Sequence, residues 1–257
     1  MILVFGVLLV GILAGVMSGL FGIGGGIVMV PMLIAFLGMN MLNANAASLA
    51  AMLLPVGIFG VINYYKAGYI KVKDSLFISG GLLIGSYFGA ELAVSVNISL
   101  LSKLYALFLM YVVCSYLNIP SRFMGKKSKS EIKESPDRSF WQFIALGLFA
   151  GIIAGMFGKG GGIVIVPVLT RFFRYDPKAA AATSLAALQL PVGLPSVIVY
   201  ASNGHMNWLY AALMAGGILA GAFLGSKAAI NLPSGLFKKI YAVFLIGMAF
   251  YMVYKYI

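Results

Sequence analysis

Residues 15–33 read GVMSGLFGIGGGIVMVPML, and residues 151–169 read GIIAGMFGKGGGIVIVPVL. The two stretches lie 136 residues apart and agree at 12 of 19 positions. Among the shared positions are Phe21 and Phe157, the triplets Gly24-Gly25-Gly26 and Gly160-Gly161-Gly162, and Pro31 and Pro167. A glycine inside a helix costs about 1 kcal/mol against alanine, so three in a row break an otherwise helical apolar segment. In lipid the backbone groups freed by a break need partners, and such backbone persists only where protein or a wet cavity surrounds it. Broken hydrophobic segments at matching positions of two halves point to a transporter's binding site.

The composition agrees with a membrane setting. Of 257 residues 62% are hydrophobic and 9% charged, and the mean hydropathy is +1.03. Several apolar runs reach the length of about 20 residues that a bilayer core of about 30 Å demands. The N-terminus MILVFGVLLVGILAG carries no basic residue, so it reads as a retained membrane segment and not as a signal peptide. Cys114 is the single cysteine, which excludes a disulfide or a CxxC metal pair. With one histidine and six acids there is little material for a catalytic or metal-binding cluster, and no cofactor is expected.

The repeat extends well beyond the glycines. Each half offers five apolar elements: 2–20, 27–37, 46–64, 75–95 and 100–118, then 140–156, 163–173, 182–200, 209–225 and 236–254. Ser48-Leu49-Ala50-Ala51 matches Ser184-Leu185-Ala186-Ala187, and Pro55-Val56-Gly57 matches Pro191-Val192-Gly193. Gly81, Gly85 and Gly89 match Gly217, Gly221 and Gly225, while Lys103, Tyr105 and Phe108 match Lys239, Tyr241 and Phe244. The chain therefore divides into a first membrane repeat, 1–118, a basic linker, 119–139, and a second repeat, 140–257. The glycine stripes spaced by four residues, Gly11/Gly15/Gly19 and Gly81/Gly85/Gly89 with their repeats, suit close helix packing.

Charge orients the halves. Fifteen of the eighteen basic residues fall in four clusters: Lys66/Lys71/Lys73, six in the linker, Arg171/Arg174/Lys178, and Lys227/Lys238/Lys239. All four share one side only if each half crosses an odd net number of times, which makes the repeats inverted with the linker cytoplasmic. That placement reads as topology, so nucleic acid is not expected as a partner. The parity also requires the first two elements of each half to cross an even number of times together. At 11 residues, or about 16 Å of helix, 27–37 is too short to span, so a broken or re-entrant pair is expected. The fold expected is an all-α polytopic membrane protein, with two inverted-topology repeats of about 120 residues. Each holds a broken or re-entrant glycine-rich pair plus three spans.

The breaks carry the chemistry. Each triplet ends where a short helix begins, expected at Ile27 and Ile163. A helix start presents unpaired N–H groups and partial positive charge, and glycine lets a ligand approach the backbone. Two such starts facing one another form a site for a small anion. The candidate substrate-binding residues are Gly24, Gly25, Gly26, Gly160, Gly161, Gly162, Lys159, Ser48, Ser184, Thr183, Gln189 and Asn45. Ser48 and Ser184 are repeat equivalents whose hydroxyls suit oxyanion oxygens, although serine in a helix also bonds back to its own backbone. Lys159 stands where the first half has Ile23, a charge within an apolar motif that reads either as functional or as snorkelling. Ser18 and Asn43 are further polar neighbours; Glu91 reads as a hydrated residue near a segment end and His205 as a loop residue.

The paired motifs GLFGIGGG-x4-P and GMFGKGGG-x4-P, with the duplicated layout, resemble the TauE/SafE family of sulfite- and sulfonate-type anion exporters. The resemblance covers nearly the whole chain. It implies a permease of about eight membrane segments moving small sulfur-containing anions, in the cell membrane. Lys159 departs from the symmetric motif. A secondary transporter with alternating access is the leading expectation, with a proton or sodium as candidate coupling ions and a homo-oligomer compatible with it. A channel lined by the same breaks is the alternative. A membrane-embedded enzyme is disfavoured because no Ser/His/Asp, HExxH or paired-acid constellation is present, and no Walker motif is found.

The charge argument makes a direct prediction. Cysteines placed at Lys66 and Lys178 should react with an impermeant thiol reagent from the same side as one at Lys127. Labelling from opposite sides would rule out inverted halves.

Overall fold

Hydrophobic runs bounded by Asn, Pro and Gly fold into helices throughout the computed structural model, which describes residues 2–21, 26–55, 58–116, 139–158, 161–229, 243, 246–252 and 254. The linker up to residue 138, Gly24, Gly25, Lys159, Gly160, Lys238 and Lys239 lie outside the described residues. In chain order the helices are α1 (Ile2–Phe21), α2 (Gly26–Leu37), α3 (Met41–Ala51), α4 (Ile58–Lys66), α5 (Val72–Ser95) and α6 (Ile98–Tyr116). The second half supplies α7 (Phe140–Phe157), α8 (Gly161–Arg171), α9 (Pro177–Ala187), α10 (Leu194–Ser202) and α11 (Trp208–Ala229). No strand occurs among the described residues.

The third apolar element of each half is a pair of short helices, as its proline and glycine residues require. Helices α3 and α4 have 11 and 9 residues, and α9 and α10 repeat those lengths. At 1.5 Å per residue each rises about 14–17 Å, half a bilayer core. The first helix of each pair begins five residues earlier than the apolar pattern suggests. Asn40 and Asp176, related by the repeat, cap them: Asn40 Oδ1 accepts from the Asn43 amide at 2.8 Å, and Asp176 Oδ2 accepts from Lys178 N at 2.9 Å. Pro177 follows Asp176 at the first helical position, where its missing N–H does no harm.

The glycine stripes join the halves. The two most extensive helix pairs are α5 with α7 and α1 with α11, each taking one helix from either half. Both pairs run parallel: Gly81, Gly85 and Gly89 meet Ile144, Leu148 and Ile152 in turn, and Gly11 and Gly15 meet Met214 and Ile218. A Cβ on Gly85 would lie 2.1 Å from the Leu148 carbonyl oxygen, and one on Gly221 equally close to that of Ile12. These are backbone-to-backbone contacts that only glycine admits. The large side chains point away from them. Leu76, Ile84, Phe88 and Leu92 on α5 and Leu219, Phe223 and Leu224 on α11 are exposed. Small residues inside and large apolar ones outside is the pattern of helices packed in lipid, where burial against hydrocarbon gives no hydrophobic gain. Helices α5 and α7 are long and apolar enough to cross a bilayer.

Polar contacts mark the two ends of the bundle. At one end the Tyr175 hydroxyl donates to Asp74, Lys178 Nζ stands 5.8 Å over the Tyr69 ring, and Lys71 N donates to Thr183 Oγ1 at 3.2 Å. Phe77 packs on Phe140, where α7 leaves the linker. At the other end Asn43 Oδ1 meets His205 Nδ1 at 3.1 Å. Between them Leu49 and Leu53 lie against Gly193, so the C-terminal end of α3 meets the start of α10 near the middle.

Substitution separates the two kinds of glycine. Gly85→Ala or Gly151→Ala should lower the unfolding temperature by about 2–12 °C, because overpacking against a backbone atom costs about 1–3 kcal/mol. Gly80→Ala on α5 and Gly216→Ala on α11, with open space around the added Cβ, should be neutral or slightly stabilising. Thermal unfolding of the purified variants decides it.

Candidate functional site

Both glycine motifs resume helix inside the protein. Helix α2 is described from Gly26 and α8 from Gly161, so the expected starts Ile27 and Ile163 both lie within helix. Every residue from Gly26 to Ile34 is buried, as is Gly161. Neither first turn contains an acidic residue. Two buried helix starts thus keep their partial positive charge unopposed by a carboxylate of their own turn.

The motif proline has a local consequence. Pro31 stands four residues after Ile27, so the helical bond to the Ile27 carbonyl has no N–H to supply it. Tyr105 of α6, fully buried, supplies one instead: its hydroxyl donates to Ile27 O at 3.2 Å. The Tyr105 ring packs on Phe157 at 5.4 Å between centroids, and Phe108 stacks on the same Phe157 at 5.3 Å. Phe157 ends α7, directly before the second break. Tyr105 therefore touches both glycine breaks and holds the start of α2 beside the end of α7.

The end of α7 is the most densely bonded point in the site. Gly158 caps the helix with φ at +75°, a left-handed conformation that glycine adopts freely. A Cβ there would sit 2.6 Å from Val30 Cγ2 and 3.0 Å from Asn45 Oδ1. Ser48 Oγ donates to the Gly158 carbonyl at 2.8 Å, Asn45 Nδ2 to the Met156 carbonyl at 2.7 Å, and Tyr200 Oη to the Gly155 carbonyl at 2.9 Å. The last carbonyls of a helix lack intrahelical partners, and these side chains from α3 and α10 provide them. Ser48 and Asn45 thus direct their protons to backbone oxygens in this structure.

Of the second-half candidates, Ser184 stands beside the start of α8, while Thr183 and Gln189 bond elsewhere. Ser184 is buried, its Oγ 3.7 Å from where a Cβ on Gly162 would lie. Thr183 is fully buried and accepts the Lys71 amide. Gln189 donates from Nε2 to the Leu185 carbonyl at 3.2 Å, while its buried Oε1 has no partner. Asn43 is drawn away to His205, and Glu91 is exposed on α5. The second break of this half, around Pro191, is held by serines: Ser79 Oγ donates to Ala187 O at 2.8 Å and Ser86 Oγ to Val192 O at 2.7 Å. Ser196 Oγ donates in turn to Ser86 O at 2.7 Å. A narrow cleft runs along this break, lined by Leu49, Met52, Leu82, Ala154, Leu188 and Gly193. The sequence reading missed Tyr105, Tyr200, Ser79, Ser86 and Ser196. Tyr105 and Tyr200 had a signal, their matches to Tyr241 and Tyr64 in the repeat.

No group of three His, Cys, Asp or Glu side chains suited to a metal occurs among the described residues. No solved structure matches the chain. Similar sequences are found among curated proteins. A probable membrane transporter protein of Bacillus subtilis, YunE, is 29% identical over 86% of this chain and 86% of its own. A second from that organism, YdhB, is 27% identical over 93% and 95%. A probable membrane transporter protein of Methanocaldococcus jannaschii is 30% identical over 79% and 74%. Residues 7–252 match the family described as Sulfite exporter TauE/SafE. Duplicated glycine breaks, proline-freed carbonyls and lipid-type helix packing are thus the features of a membrane protein that belongs to the TauE/SafE family.

Proposed function

We propose that this chain is a multi-pass secondary transporter in the cell membrane, moving sulfite, a sulfonate or a related sulfur-containing anion. Transport proceeds by alternating access around the two glycine breaks. The observation that carries this reading is the pair of buried helix starts at Gly26 and Gly161, with no acid in either first turn. Buried N–H groups without a carboxylate favour an anion. Ser184 lies beside the second start, Thr183 precedes it on α9, Gln189 follows α9, and Lys159 belongs to the glycine motif. The family description supplies the sulfur-containing anion as the class.

The contacts also support inverted repeats, bounded at 1–118 and 140–257 around a cytoplasmic linker. From Asn43 beside His205, α3 leads inward to Gly193 and α4 continues to Lys66. From Tyr175 beside Asp74, α9 leads inward from the opposite end, and α10 continues to His205. Equivalent helices thus travel in opposite directions, and Lys71, Lys73, Arg174 and Lys178 gather at one end. A transporter of this kind has two half-length helices meeting at mid-depth in each repeat. A proton or sodium ion is its coupling ion.

The expected results are specific. Proteoliposomes should take up radiolabelled sulfite or a sulfonate in preference to a carboxylate of equal charge, saturably and with a dependence on an imposed ion gradient. Uptake that neither saturates nor responds to a gradient would favour a channel. Gly161→Ala meets only side chains at its closest contact, Leu82 Cδ2 at 3.3 Å, so the fold should persist. Uptake should nonetheless fall roughly tenfold, the equivalent of about 1.4 kcal/mol of lost anion binding. Lys159→Met should raise the Km for the anion with thermal stability kept, and Lys159→Arg should retain part of the activity. Unchanged Km in Lys159→Met would leave the anion to backbone N–H groups alone.

A further inference from the structure

We propose a binding site for a sodium-sized monovalent cation at the C-terminal end of α7, formed by Asn45, Ser48, Tyr200 and the carbonyls of Gly155, Met156 and Gly158. The argument begins with protons. Ser48, Tyr200 and the Asn45 amide each direct a proton to one of those three carbonyls. Each hydroxyl has a single proton, so neither Ser48 nor Tyr200 has another to give. The second proton of the Asn45 amide lies toward the Tyr200 hydroxyl; four protons thus face six oxygens. Asn45 lies beside the Tyr200 hydroxyl and is fully buried, yet its Oδ1 has no hydrogen-bond partner. Rotating the amide does not cure this, because Oδ1 would then face the Met156 carbonyl. The neighbourhood is therefore a buried set of oxygens with more acceptors than donors. An unmet buried acceptor is destabilising, by an amount that grows as the surroundings dry.

A small hard cation suits an oxygen set with spare lone pairs, with Asn45 Oδ1, which has no hydrogen-bond partner among the described residues, as its first ligand. It is also attracted by the negative end of α7, whose last carbonyls are turned to the same place. In transporters with broken helices, carbonyls at half-helix C-termini are suited to such ions. The ligand set is neutral, with no carboxylate in it, which selects a monovalent ion over calcium or magnesium. Leu49 and Ala154, one residue from Ser48 and one turn before Gly158, line the cleft described above and give the ion an approach. Naming this ion as the coupling ion rests on the transporter reading; its binding does not.

Binding is therefore measured without transport. Purified full-length protein is titrated with NaCl against choline chloride at constant ionic strength, and its unfolding temperature is followed. We expect a saturable rise in sodium that choline does not produce, since a ligand that binds only the folded state stabilises it. Ser48→Ala should weaken the apparent affinity, and Asn45→Asp should strengthen it about tenfold by adding a negative charge in a dry site. Asn45→Leu should abolish the sodium effect; if that variant does not fold, the other two still decide. Equal unfolding temperatures in sodium and choline would overturn the site and assign the acceptor to water. A sodium effect that none of the three substitutions changes would overturn it as well. Sodium binding that persists in a protein with no anion uptake would retain the site and dismiss the transporter reading.

Discussion

A helix broken inside an apolar medium frees carbonyls that water cannot reach, and each must find a donor within the protein. This requirement explains most of the buried polar side chains described here. Ser48, Asn45 and Tyr200 answer the end of α7, Tyr105 answers the carbonyl that Pro31 frees, and Ser79 and Ser86 answer the turn around Pro191. Each bond contributes about 0.5–1.5 kcal/mol, but leaving its acceptor bare costs more, so the donors come with the breaks. The buried hydroxyls described here are chiefly backbone partners.

The donors reach their acceptors because the halves approach to backbone contact. Gly85 against Leu148 and Gly221 against Ile12 leave no room for a side chain. This brings α5 and its serines onto the break of the second half. A larger residue on either stripe would separate the donors from the carbonyls as well as the helices from each other. Packing and hydrogen bonding are thus linked through the same four-residue spacing, since Ser79 and Ser86 lie on α5 among the glycines that pack.

Much of this was legible in the sequence. The prolines at 55 and 191 and the glycine stripes are local signals with local causes, and the interrupted third elements and the stripe packing occur where they indicate. Helix starts were less legible: the apolar pattern placed α3 and α9 five residues late because it ignores polar caps, although Asn40 and Asp176 are related by the repeat. The long-range bonds were illegible. Ser48 and Gly158 are 110 residues apart and Tyr200 and Gly155 are 45 apart, and nothing in either stretch names its partner. The candidate residues Asn45 and Ser48 were singled out as anion ligands for their polarity. Their protons go to carbonyls at the end of α7, a placement that polarity alone does not indicate.

The repeat is more exact in its skeleton than in its polar residues. Ser79 and Ser86 on α5 face the break at Pro191, whereas the matching positions on α11 are Ala215 and Ala222. Asn45 likewise corresponds to Ala181 and Ile23 to Lys159. The break between α9 and α10 is therefore tied to its neighbour by two hydroxyl bonds for which the break between α3 and α4 has no counterpart at those positions. At about 1 kcal/mol each, the difference is enough to bias which break yields first by one to two orders of magnitude. Two halves that share a backbone path but differ in restraint do not move symmetrically. At these positions the α9–α10 break, held by α5, is the more restrained of the two.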